Sequence, residues 1–156
     1  MSPAGENAPA LTLVRTYRAS PERLWAAWTE PALLLRWFGP DAGPVLSAET
    51  DVRPGGRYRI AFQTMDAETH TCLGTYEEVV PHKRLAFTWE WITMPERQSH
   101  IVLTFRAVVE GTELTLHHTR FADERARDDH RDGWTGALDK LAALMGGQAT
   151  NGGPSA

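Results

Sequence analysis

The sequence predicts an α+β domain. A curved antiparallel sheet of about seven strands should wrap around one long C-terminal helix, with two short helices after the first strand. Three observations carry this. First, from Asp123 to Met145 the residues His130, Trp134, Ala137, Leu138, Leu141, Leu144 and Met145 recur at steps of three and four, so they share one helix face. Second, from Val45 to His118 the apolar residues alternate in short runs divided by turn residues, with no helical stretch between them, which excludes a parallel βαβ sheet. Third, two helix-start signals follow the first alternating run: Ser20-Pro21-Glu22 and Thr29-Glu30-Pro31.

In chain order, residues 1–10 are rich in Pro, Ala and Gly and are expected to be disordered, as is the glycine-rich tail 147–156; the folded domain should span 11–146. Leu11 to Ala19 alternates as a strand whose inward side is left open. The first short helix carries Leu24, Ala27 and Trp28 on one face, the second Leu33, Leu34, Trp37 and Phe38, and Gly39-Pro40 stops it. Arg53-Pro54-Gly55-Gly56 is a tight turn. Tyr58, Ile60 and Phe62 then alternate with a wet face. Cys72 to Val80 is the next strand, with Glu77-Glu78 marking a bulge. Leu85, Phe87, Trp89 and Trp91 share a face, as do Ile101, Leu103 and Phe105, and then Leu114, Leu116 and His118 after a turn at Glu110-Gly111-Thr112. The final helix opens on Asp123, Glu124, Asp128 and Asp129, where the helix dipole favours negative charge, and ends at Gly146-Gly147.

Composition narrows the function classes. Apolar residues make up 42% and charged residues 23% of 156 residues, ordinary values for a globular chain. A net charge of -4 argues against a nucleic-acid partner or a polybasic membrane patch. Cys72 is the single cysteine, so a reducing, cytoplasmic location is expected. The opening MSPAGENAPA has neither a basic n-region nor an apolar run, so no secretory signal is expected, and no stretch reaches membrane-spanning length.

Several segments together are familiar. Ser20-Pro21-Glu22-Arg23-Leu24-Trp25-Ala26-Ala27-Trp28-Thr29-Glu30-Pro31, then Arg36-Trp37-Phe38-Gly39-Pro40, Arg53-Pro54-Gly55-Gly56, Gly74-Thr75-Tyr76-Glu77-Glu78-Val79, Leu85-Ala86-Phe87-Thr88-Trp89 and Gly133-Trp134 with Leu138 and Leu141 stand in this order. The set resembles bacterial proteins related to the heat-shock-protein-90 ATPase activator, in the START/Bet v 1-like (SRPBCC) superfamily. The resemblance implies a helix-grip fold around a deep cavity. It leaves function open, because that scaffold hosts carriers, receptors, enzymes and co-chaperones.

The expected function is binding of a small, largely apolar or amphipathic molecule between sheet and C-terminal helix, in a chain that is a monomer or homodimer. The residues expected to touch it are Tyr58, Ile60, Phe62, Tyr76, Phe87, Trp89, Trp91, Leu103, Phe105, Leu116, His118, His130, Trp134 and Leu138. His117 and His118 point to opposite faces of a strand and cannot share a metal. His118 and His130 should instead face one interior, where neutral imidazoles could orient a polar ligand end. No metal or cofactor is expected: His70 and Cys72 lack a third ligand, and Cys72 has no neighbouring base. Gly133 and Gly136 inside the helix each imply close approach of another element or room for a ligand. Two other functions fit the scaffold. One is a cyclase, dehydratase or hydrolase using His118, His130 or Tyr76. The other is a co-chaperone-like interaction module, disfavoured because no second domain of the kind co-chaperones carry is expected.

Overall fold

Two side chains start the helices that frame the fold. Ser20 accepts the Arg23 amide on its hydroxyl (3.1 Å), with Pro21 at the first helical position, and Asp123 accepts the Ala126 amide (2.8 Å). The computed structural model describes residues 8–150. Its elements run β1 (Leu11–Tyr17), α1 (Pro21–Thr29), α2 (Pro31–Trp37), β2 (Val45–Thr50), β3 (Arg57–Gln63), β4 (Thr69–Val80), β5 (Arg84–Trp91), β6 (Met94–Val108), β7 (Gly111–Thr119), α3 (Glu124–Leu144) and β8 (Gln148–Thr150). The strands form one antiparallel sheet in the order β2-β3-β4-β5-β6-β7-β1-β8. The α+β arrangement of a curved sheet on a long C-terminal helix, with two short helices after the first strand, is the one the sequence predicts.

Local differences have physical causes. The eighth strand, Gln148–Thr150, pairs with β1 inside the stretch expected to be a disordered tail. Backbone pairing on an open sheet edge does not depend on an apolar pattern, so composition gave no sign of it. Residues 1–7 and 151–156, the rest of the two expected tails, lie outside the described residues. Strand β4 begins at Thr69 rather than Cys72, because Thr69 and His70 pair with Gln63 and Phe62. Thr29 does not cap α2. Its hydroxyl donates back to the Trp25 carbonyl within α1 (2.8 Å), and Glu30 joins the two helices without a side-chain cap. The bulge foreseen at Glu77-Glu78 is present as a register shift between Tyr76 and Glu78.

The core lies between the concave sheet face and α3, where Trp134 is 4% exposed and Leu138 and Leu141 are fully buried. The open question on β1 is settled by Tyr17, which is buried and donates its hydroxyl to the Leu138 carbonyl of α3 (3.3 Å). The short helices close the other side. Trp37 donates to the Ala27 carbonyl (2.9 Å), fixing α2 on α1, and stacks edge-on against Trp28 with centroids 4.7 Å apart. A second register shift, between Trp89 and Trp91 against β6, loosens the β5–β6 ladder at the end of the sheet beside the start of α3.

Candidate functional site: an aromatic cavity at the start of the long helix

Alternation along β5 turns Trp89 and Trp91 to the concave face, and β3 adds Phe62 beside them. Helical spacing brings His130, Gly133, Trp134 and Ala137 of α3 opposite these rings. The turn after α2 supplies Phe38, Gly39 and Pro40, and the segment after β7 supplies Phe121. Together these groups surround a cavity of about 680 Å³ that opens to solvent. Its mouth carries Thr64, Thr69, His70, Thr93, Arg97, Arg125 and Asp129, with Ile92 and Met94 exposed on its rim. Arg97 lies 3.8 Å from Asp123 across this rim.

The polar atoms of the inner wall are spent on one another. The His130 ring donates from Nδ1 to the Ala126 carbonyl (2.7 Å), which leaves Nε2 as an acceptor. Two indole N–H groups converge on that nitrogen, from Trp91 (3.0 Å) and Trp89 (3.3 Å). His118 has the opposite tautomer. Its Nδ1 accepts from Trp134 Nε1 (3.1 Å), so Nε2 donates to the Ser99 hydroxyl (2.7 Å), which donates on to the Trp89 carbonyl (3.3 Å). Burial pushes the His118 pKa well below the ordinary imidazole value, with the nearby His130, His100 and His117 adding to the effect. Burial lowers that of His130 as well, against an opposing pull from the Ala126 carbonyl and Asp129. Both rings are therefore neutral at neutral pH, and strand-to-helix hydrogen bonds tie His118 to Trp134 and His130 to Trp89 and Trp91.

The wall formed by residues 38–41 is clamped to α3. Lys140 donates its ammonium to the carbonyls of Phe38 (3.0 Å) and Asp41 (2.6 Å), and partial burial lowers its pKa although Asp41 opposes the shift. Beside it, a Cβ on Gly136 would meet the Pro40 carbonyl oxygen at 2.1 Å. Gly133 is different: a Cβ there would lie 3.6 Å from Pro40, and the residue borders the cavity. The two helix glycines thus answer to the two causes the sequence allowed, close approach at Gly136 and open space at Gly133.

Of the residues expected to touch a ligand, Phe62, Trp89, Trp91, His130 and Trp134 border this cavity. Tyr58, Ile60, Tyr76 and Phe87 border a separate void of about 20 Å³ deeper in the core. Leu103, Phe105, Leu116, His118 and Leu138 are buried in the packed interior behind these walls. His70 reaches the cavity whereas Cys72 is buried, its thiol pushed up by burial, and no group of three or more potential metal ligands occurs among the described residues. Sequence reasoning missed Phe38, Pro40, Ser99 and Phe121 as wall residues. Phe38 and Pro40 flank the helix-stop glycine, and the aromatic Phe121, two residues after β7, was a usable signal for the wall that segment supplies.

An antiparallel sheet gripping one long helix, with an open aromatic cavity at one end of it, defines a START/Bet v 1-like helix-grip protein, a fold that generally serves as a ligand-binding scaffold. Within that class the chain belongs to the family described as Activator of Hsp90 ATPase homolog 1-like protein, whose family model matches residues 18–146. Among solved structures it is similar to a protein from Chromobacterium violaceum, at 27% identity and a TM-score of 0.79, covering 88% of this chain and 97% of that one. A family protein from Silicibacter pomeroyi has 27% identity and a TM-score of 0.77, covering 88% and 98%. A protein from Rhodobacter sphaeroides has 26% identity and a TM-score of 0.75, covering 94% of this chain and 95% of that one. No curated protein matches the chain. No helix among the described residues is long and apolar enough to cross a membrane.

Proposed function

We propose that this protein binds a small, largely apolar or amphipathic molecule in the cavity at the start of α3. The observation that carries the reading is the state of the inner wall. Trp89, Trp91 and Trp134 present ring surface to a space of about 680 Å³ while their N–H groups are occupied by His130 and His118. A wall of aromatic faces with its donors already paired favours apolar ligand surface, and the threonines, arginines and His70 at the mouth suit a polar end. The cavity of about 680 Å³ falls within the range of roughly 300–1,000 Å³ common to small-molecule pockets, and its opening gives a ligand a path in.

The same hydrogen bonds support binding over acid–base catalysis. A general base needs a nitrogen free to reach the substrate, and all four ring nitrogens of His118 and His130 have partners within the protein. Tyr76 lies on the wall of the deeper void, and burial pushes its phenol pKa up, so it keeps its proton.

Organic extraction of protein purified under native conditions from its own host tests the reading. An apolar compound should be released in a roughly equimolar amount, and native mass spectrometry should show its mass on the intact chain. Extracts no richer than those of an unrelated protein of similar size would count against it.

A further inference from the structure

The chain has six tryptophans, and their indole N–H groups are not treated alike. Those of Trp37, Trp89, Trp91 and Trp134 all donate to named acceptors. The Nε1 of Trp28 is buried with no hydrogen-bond partner among the described residues, in a side chain only 4% exposed. Leaving a buried donor unpaired is costly, and native structures rarely do so without a reason. Trp28 borders the inner void of about 20 Å³, room for one water-sized group. Phe38 and Trp89 belong to the walls of both this void and the outer cavity, with ring centroids 6.2 Å apart.

The partition between the two spaces is therefore one pair of rings. Trp89 is tethered to His130. The Phe38 backbone is held through its N–H to Leu34 (3.1 Å) and its carbonyl to Lys140 (3.0 Å), while its ring is held only by packing against Trp37, Phe62, Trp89 and Trp134. We infer that the inner void is the blind end of the ligand cavity, and that the Trp28 indole donates there to an acceptor oxygen, of the ketone, ester or ether class, on the buried end of the ligand. The inference rests on the binding reading of the outer cavity. A water in that void would bring two hydrogens to a wall whose side chains offer only the phenol oxygens of Tyr58 and Tyr76 as acceptors, and the Tyr58 hydroxyl gives its own proton to the Thr88 carbonyl (2.5 Å). A carbonyl or ether oxygen brings lone pairs alone, which is what an orphan donor requires.

The test uses two probes of one shape, 9-fluorenone and fluorene, which differ by a carbonyl oxygen. Affinities for the full chain and for the Trp28→Phe variant give a ratio of ratios. The preference for fluorenone over fluorene should fall about five- to ten-fold on removing the indole N–H. In the unaltered protein, the Trp28 indole proton should move downfield in the NMR spectrum on addition of fluorenone and not of fluorene, a readout that does not depend on the variant folding. If both probes bind, the preference is unchanged and the Trp28 resonance stays in place, the inference is overturned while the outer cavity stands as a binding site. If neither probe binds, both readings fall.

Discussion

His130 Nε2 receives two indole donors, and His118 Nδ1 receives a third. Protonation would turn each acceptor into a donor facing a donor, so the folded chain resists it, consistent with the lowered pKa of both rings. An unfolded chain takes up these protons near the ordinary value of about 6.5. Below that pH the unfolded state holds more protons than the folded one, so stability falls as pH falls. The contribution is intact above about pH 6.5 and declines under acid by at most about 1.4 kcal/mol per pH unit for each histidine. The urea midpoint should therefore drop between about pH 7.5 and 5.5, well before most carboxylates titrate; a flat or rising midpoint would refute the neutral-imidazole network. The inward direction of His118 was legible from strand alternation, and that of His130 from helical spacing. Their partners were not, because the pairs Trp91–His130 and Trp134–His118 depend on how far α3 slides along the sheet, which no local pattern encodes.

At the level of elements, α3 and the 38–41 segment meet at Gly136, where a side chain has no room. Alanine normally gains about 1 kcal/mol over glycine inside a helix. At Gly136 that gain should be overturned, because a Cβ at 2.1 Å from the Pro40 oxygen forces the loop off the helix and strains the Lys140 bonds. We expect Gly136→Ala to destabilise by about 1–3 kcal/mol. Gly133→Ala, one turn earlier, meets only an ordinary contact at 3.6 Å and should be neutral or stabilising by up to about 1 kcal/mol. Thermal or urea unfolding of both variants reads the difference, and equal effects would contradict the close approach. The long helix and the first short helix were readable because each carries its own cap and period, and α2, which has no side-chain cap, was readable from Pro31 at its start and from its apolar spacing. Strand β8 was not: its three residues owe their conformation to the exposed edge of β1 rather than to their own composition.

For the molecule as a whole, the alternating pattern identified which aromatics face inward but not which of them border a void. The answer depends on the ends of elements. Phe62 closes β3, Trp89 and Trp91 close β5, and His130 and Trp134 lie in the first half of α3, so all five gather where the sheet runs past the helix start. Leu138 and Leu141, further along the same stripe, are fully buried and belong to the packed core. We propose that this open end holds apolar ligand surface against Trp89 and Trp91. The most direct test is titration with an environment-sensitive apolar dye, read by dye emission and tryptophan quenching, in the unaltered chain and in Trp91→Ala. We expect saturation at about one dye per chain, quenching of tryptophan, and affinity altered in a variant that stays folded, because Trp91 is a partly buried wall residue. Dye binding that is unchanged in Trp91→Ala, or that occurs only as the protein unfolds, would contradict it.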